Sequence, residues 1–203
     1  AGFAPARSLP MLHTTTLAAW HARHGNPAGR SYPHGRVHLF CDEFTNFNDT
    51  AIGIKAVELL NRLGYEVVLP KHVESGRAHF SKGLVRQGRQ LAIRNVELLK
   101  DIVSETSPLV GIEPSALLGF RDEYPDLVPP ALKEAANQLA RRALLIDEFI
   151  ARESGAGRIR REAFTTRAQN IKLHGHCYQK ALGSLTPTVR MLELPANYKV
   201  QLI

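Results

Sequence analysis

Cys41 and Cys177 are the only two thiols in the chain, and each closes a short apolar run. The first run is Val37-His38-Leu39-Phe40-Cys41. The second is Ile171-Lys172-Leu173-His174-Gly175-His176-Cys177. Around Cys177 stand two imidazoles, His174 and His176, and the ammonium of Lys180. Thiolate and imidazole are good ligands for iron–sulfur clusters, zinc and iron. A nearby cation and a helix N-terminus favour thiolate over thiol. The same residues also suit a small buried cysteine beside histidines that make structural hydrogen bonds. Cys41 precedes Asp42 and Glu43. Their charges raise a thiol's pKa and argue against a free nucleophile there, although both carboxylates could ligate a hard metal. A further carboxylate and hydroxyl, Glu113 and Ser115, flank Pro114 at an expected helix start. Glu113 is a candidate ligand or anion-gating group, and Ser115 a candidate cap.

The elements that must position these groups occur as a repeated unit. Each copy reads strand, cysteine at the strand's end, polar loop, apolar helical stretch, then a strand led by tyrosine. The tyrosine-led strands are Tyr65-Glu66-Val67-Val68-Leu69 and Tyr198-Lys199-Val200-Gln201-Leu202. In the first copy Ile52, Ala56, Leu59, Leu60 and Leu63 recur at helical spacing, Asp49 or Thr50 is a candidate cap, and Gly64 supplies the stop. Pro70–Gly83 reads as a loop, followed by a long helix carrying Leu84, Leu91, Val96, Leu99 and Val103. Pro108–Glu113 reads as a third strand. The steps Leu132, Ala136, Leu139, Ala143, Ile146 and Ile150 predict one amphipathic helix of about five turns. Arg121, Asp122 and Glu123 are expected to form a surface ion-pair set.

Strands alternating with helices imply a parallel α/β fold. Two pseudo-symmetric Rossmann-like lobes with parallel sheets are expected, the second incomplete. The organisation read from the sequence is an irregular lead-in over 1–35, with a short helix near Leu17–Arg23, and an α/β domain over 36–203. Its halves span about 36–107 and 108–203. In such folds ligands meet the carboxyl ends of the strands, so Cys41, Asp42, Glu43, Glu113, Ser115, Cys177 and Lys180 are expected around one crevice.

The chain has 203 residues, of which 44% are hydrophobic and 22% charged, and a formal net charge of +7. That composition is ordinary for a globular protein. No apolar run approaches the length of a membrane span, and the first residues lack the apolar core of a signal peptide. The chain does not begin with Met, so it reads as a segment of a longer protein. Two widely separated cysteines are no disulfide framework and point to a reducing compartment. Basic residues cluster at Arg86, Arg89 and Arg94 and at Arg158, Arg160, Arg161, Arg167 and Lys172, without the interleaved aromatics of a nucleic-acid surface. They read as solvated helix faces and a docking surface.

Five stretches carry a resemblance: Gly2–Pro10, Leu39–Asn48 (LFCDEFTNFN), Gly111–Ala116 (GIEPSA), Phe120–Leu127 (FRDEYPDL) and His174–Ala181 (HGHCYQKA). On them the chain resembles the cysteine-rich (CCG) domain of iron–sulfur oxidoreductases. It is most similar to the C-terminal part of FAD-linked D-2-hydroxyacid dehydrogenases of the D-lactate and D-2-hydroxyglutarate type. In that family each half has a lone cysteine ending its first strand and a Cys-Cys-Gly motif after its second. The resemblance matches Cys41 and Cys177 to the lone cysteines. Glu74-Ser75-Gly76-Arg77 falls on the first Cys-Cys-Gly-Arg, so only Gly76 and Arg77 agree. The second Cys-Cys-Gly would fall beyond Ile203, and Ala116 stands where many relatives have another cysteine.

The resemblance therefore implies an electron-transfer domain of an FAD-linked 2-hydroxyacid dehydrogenase, passing electrons from flavin to an acceptor. It implies a 4Fe–4S cluster in the intact protein, incomplete or absent in this fragment, and FAD in the missing upstream part. The expected partners are the flavin-binding part of the same polypeptide and an electron acceptor, with no nucleic acid. The fragment alone is expected to be inactive, and the location cytoplasmic, at most peripheral to a membrane. Two alternatives stay open: a non-redox docking module of the same enzyme, and a mononuclear metal domain built on Cys41, His174, His176 and Cys177.

Overall fold

The computed structural model describes residues 6–203. Positions 2–5 of the Gly2–Pro10 stretch lie outside the described residues. Helix α1 (Leu17–His24) precedes β1 (Arg36–Leu39), α2 (Glu43–Phe47), α3 (Thr50–Arg62) and β2 (Glu66–Val68). Next come α4 (Arg77–Ser81), α5 (Val85–Leu99), β3 (Leu109–Gly111), α6 (Pro114–Leu118), α7 (Glu123–Leu127) and α8 (Pro130–Arg142). Then follow β4 (Ala143–Leu145), α9 (Ile146–Gly155), β5 (Gln169–Leu173), α10 (Cys177–Leu182), α11 (Thr186–Leu192) and β6 (Tyr198–Leu202). The first four strands form one parallel sheet in the order β2-β1-β3-β4. Strands β5 and β6 form a separate parallel pair. The parallel α/β class expected from the sequence is the one observed.

Side chains alternate across a strand, and the four-stranded sheet accordingly feeds two cores. Val37, Leu39, Cys41, Val67 and Val110 pack with Leu17, Val57, Leu60, Phe149 and Ile150 from α1, α3 and α9. Phe40, Leu109, Ala143 and Leu145 pack on the other side with Ala92, Val96, Leu99, Phe120, Tyr124 and Leu139 from α5, α7, α8 and the α6–α7 turn. Full burial of each such large apolar side chain contributes about 1.5–3 kcal/mol. This explains why β3 is wholly apolar and β1 mostly buried. The short helix expected in the lead-in is α1. Thr16 caps it by accepting from Ala19 N, and Leu17 is fully buried in the core.

The five-turn helix expected between Leu132 and Ile150 is interrupted. Ala143–Leu145 leaves α8 and pairs with Leu109–Gly111 as β4, and α9 restarts at Ile146. Two contacts hold the break. Arg121 donates through Nε and Nη2 to Ala143 O at 2.8 and 2.6 Å, and Glu148 accepts from Leu145 N at 2.8 Å. Arg121 also pairs with Glu148. Arg121 thus serves the fold rather than an exposed ion-pair set with its sequence neighbours. The Pro70–Gly83 loop contains the short helix α4. Asp49 stands at the N-cap of α3 without a capping bond, and the Thr50 hydroxyl donates to Asn46 O instead.

Candidate functional site

Three loops leave the carboxyl ends of β1, β2 and β3 and are tied together by side chains. Asp42 caps α2, accepting from Phe44 N and Thr45 N at 3.0 Å each. Burial raises its pKa; the Thr45 bonds oppose the rise, and the charges of Glu113 and Glu43 add to it. Its neighbour Glu43 reaches the β2 loop. One carboxylate oxygen accepts from Ser75 N at 2.8 Å and Ser75 Oγ at 3.0 Å. Arg77, two residues on, lies with its guanidinium 4.7 Å above the Phe44 ring. Its Nε is 3.8 Å from Glu113 Oε2, in the β3 loop. Glu113 is itself the cap of α6, accepting from Ala116 N at 2.6 Å, with Pro114 in the first turn. Capping therefore falls to Glu113, leaving Ser115 free for the neighbouring cleft.

The β2 loop is held from below by buried polar groups. Tyr124 donates to Ser75 O at 2.9 Å and accepts from Asn95 Nδ2 at 2.9 Å. Asn95 also donates to Glu74 O and accepts from Val73 N. Gly76 has φ +77°, and a Cβ there would meet the Phe80 ring at 3.2 Å. Glycine is required by that left-handed backbone. Phe120 joins Phe40 and Tyr124 at ring-centroid distances of 5.0 and 4.4 Å. The FRDEYPDL and LFCDEFTNFN stretches thus interlock directly beneath the loops.

A cleft of about 520 Å³ opens beside this clasp. Arg77, Ser115, Glu123, Cys177 and Tyr178 are among its lining residues. Cys177 comes from the second repeat, so the structure brings that thiol to the loops of the first sheet. Helix α10 packs on α6, and Tyr178 Oη donates to Asp122 at 2.8 Å. Cys177 is exposed and begins α10; His176 caps that helix, its Nδ1 accepting from Tyr178 N at 3.2 Å. His174 and Lys180 are exposed. The lining roles of Glu123, Tyr178 and Phe80 were missed by sequence reasoning. Tyr178 adjoins Cys177, but nothing local marks the other two.

Cys41 has a different setting. It is 8% exposed and packs in the core with Leu17, Val37 and Val110. Burial, with Asp42 and Glu43 adding, pushes its thiol up to about 12. Among the described residues no group of three or more His, Cys, Asp or Glu side chains is placed to hold a metal ion.

A larger cleft, about 630 Å³, lies at the opposite, amino ends of the strands, where Arg36, Tyr65 and Pro108 line it. Its buried carboxylate, Glu153, is already engaged by Tyr65 Oη at 2.5 Å, Arg158 Nε at 2.5 Å and Arg152 Nε at 3.0 Å. Burial works against the charge of Glu153. The bonds from Arg158 and Tyr65 and the charges of Arg152 and Arg158 more than offset it, bringing its pKa to about 2. This cluster joins α9 to the start of β2 and is structural.

Comparison with known proteins adds a relationship. Over 96 residues the chain is 29% identical to a D-2-hydroxyglutarate dehydrogenase of Pantoea ananatis, covering 47% of this chain and 9% of that protein. Over 134 residues it is 29% identical to a D-2-hydroxyglutarate dehydrogenase of Pseudomonas putida, covering 66% of this chain and 13% of that protein. Over 150 residues it is 28% identical to lactate utilization protein A of Bacillus subtilis, covering 72% of this chain and 59% of that protein. No protein-family profile matches the chain, and no solved structure does. No helix among the described residues is long and apolar enough to cross a membrane. The chain thus spans about a tenth of the dehydrogenases it matches, and over the matched parts it is related to D-2-hydroxyglutarate dehydrogenases.

Proposed function

We propose that this chain is part of an FAD-linked 2-hydroxyacid dehydrogenase and works where electrons pass from the flavin to an acceptor. The observation that carries the reading is the exposed Cys177 thiol in a cleft that the loops of the first sheet share with α10, in a chain related to D-2-hydroxyglutarate dehydrogenases. FAD belongs to another part of the polypeptide, and no residue here is assigned to it. The described residues do not by themselves fit a 4Fe–4S cluster. One thiol is buried with its pKa raised to about 12, and the two positions matched to cysteines in the first half are Glu74 and Ser75, the latter clasped by Glu43. A cluster at Cys177 would need further thiolates from the rest of the polypeptide. What these residues do is hold the three loops rigid, exclude water beneath them and present one thiol and one guanidinium to the cleft.

The test uses the full-length enzyme with Cys177→Ser. Flavin reduction by a 2-hydroxyacid and flavin reoxidation by the acceptor are followed separately by rapid mixing. Unchanged reduction with reoxidation slowed at least about tenfold, an added barrier of ~1.4 kcal/mol, supports the reading. Unchanged reoxidation overturns it in favour of a docking module without a redox role. The Glu43–Ser75 clasp is the observation that favours this second reading, because it fills the first-half motif with a self-contained hydrogen-bonded lock.

A further inference from the structure

The cations of this chain are unevenly spread. Positions 156–203 hold eight Lys or Arg against two carboxylates, Glu162 and Glu193, and so six of the seven net positive charges. Among the described residues only Arg158 of the eight forms a salt bridge, with Glu153. Two of the others, Lys172 in β5 and Lys199 in β6, stand on one face of the two-stranded sheet. Side chains alternate along a strand, and Asn170 pairs with Lys199 as Lys172 pairs with Gln201. These four residues therefore share a face, and all four are exposed. Strand spacing and rise put the two lysine Cα atoms roughly 8 Å apart. The lysine salt bridges among the described residues belong to Lys55, Lys100 and Lys133, so these two ammonium groups repel each other without a carboxylate between them.

The first unit uses the matching face differently. Val37 pairs with Val67 as Ile171 pairs with Val200. Lys172 thus stands where His38 does, on the face that carries Phe40, Leu109, Ala143 and Leu145 beneath α5 and α8. Asn170, Lys172, Lys199 and Gln201 offer a covering helix no apolar surface, and burial would strip two ammonium groups of water. The four residues include no aromatic ring on which a base could stack. They include no apolar side chain to enter a bilayer between the cations. The chemistry that complements them is carboxylate.

We propose that the face formed by Asn170, Lys172, Lys199 and Gln201 docks the acidic surface of a separate protein. Two ammonium groups match a pair of carboxylates, and the flanking amides both donate and accept at the contact. Such a contact is wet and charge-steered, the kind that forms and releases quickly. Lys172 lies five residues before Cys177, so their Cα atoms are at most about 18 Å apart and the docked protein stands beside the cleft. The docking does not require Cys177 to carry electrons.

Chemical acetylation of lysines in the full-length protein tests this, with poly-L-glutamate as the acidic probe and site-resolved mass spectrometry as the readout. Without the probe, Lys172 and Lys199 are expected to react within about tenfold of Lys82, which is likewise exposed. The probe should slow both at least about tenfold and Lys82 less than about twofold. The pair Lys172→Glu with Lys199→Glu should weaken poly-L-glutamate binding at least about tenfold. The pair Lys82→Glu with Arg86→Glu, which changes the net charge equally, should weaken it less than about threefold. Protection of Lys172 and Lys199 without the probe overturns the proposal, because the protein's own polypeptide then covers the face. Equal slowing of all three lysines, or equal weakening by the two pairs, overturns it in favour of attraction by net charge alone. Protection by phosphatidylserine vesicles but not by poly-L-glutamate overturns it in favour of a membrane surface. Cys177→Ser enters none of these readouts, so the docking face and the redox reading fail separately.

Discussion

The two strand–helix–strand units share a sequence plan and differ in what surrounds them. Strand β1 is bonded on both edges and buried on both faces, between α1, α3 and α9 on one side and α5 and α8 on the other. Strand β5 is bonded on one edge and largely exposed. Their thiols diverge with them. Cys41 follows β1 into the core, whereas Cys177 begins α10 beside an open cleft. Their leading tyrosines diverge too. Tyr65 is buried and donates to Glu153, while Tyr198 is only half-buried. A local pattern thus specifies the order of elements, and neighbours distant in sequence decide what each residue can do.

The sharpest test of this contrast is thiol chemistry. At pH 8, with the protein folded, an alkylating reagent is expected to modify Cys177 at least about a thousand times faster than Cys41, because the thiolate is the nucleophile and a thiol of pKa about 12 is almost wholly protonated. Site-resolved mass spectrometry reads the ratio, and equal rates would break the comparison. Core truncation is next. Leu39→Ala removes a fully buried β1 side chain and should cost about 3 kcal/mol, whereas Leu173→Ala, half-exposed in β5, should cost under about 1 kcal/mol. Denaturant unfolding measures both.

Glu153→Gln leaves the half-exposed Arg158 and the buried Tyr65 hydroxyl without their carboxylate and is expected to destabilise by about 2 kcal/mol at pH 7. The pH dependence has a definite sign. The Glu153 pKa is depressed in the fold to about 2, so its contribution is full above the ordinary carboxylate range near pH 4.5 and is lost as pH falls toward 2. The substituted protein should lack that part of the acid-limb slope, and an unchanged slope would remove the cluster's assigned role. The smallest effect belongs to the clasp. Ser75→Ala deletes one of two donors to Glu43 while keeping the backbone N–H, and should cost about 1 kcal/mol in thermal unfolding.

Much of this architecture was readable in advance, for physical reasons that also mark where reading stopped. The strands at Val37, Glu66 and Leu109 announce themselves as short apolar runs, and α3 by its helical spacing. Strand β4 did not, because Ala143 and Ile146 continue the helical steps of α8 and α9, and only pairing with β3 and the grip of Arg121 on Ala143 O select a strand. At the site, the types at Glu43, Arg77, Glu113 and Cys177 were visible, but Glu123 and Phe80 carry no local sign of lining a cleft.

By itself the sequence determined the alternation of elements, the placing of a thiol after each of two related strands, and the left-handed stop at Gly64. Those properties depend on side-chain period and φ preference, which act over a few residues. Tertiary structure decided that Glu43 meets Ser75, that Arg77 reaches Glu113, and that Cys41 is sealed while Cys177 is open. Such outcomes depend on which distant segments lie side by side, and on burial, which raises the thiol of Cys41.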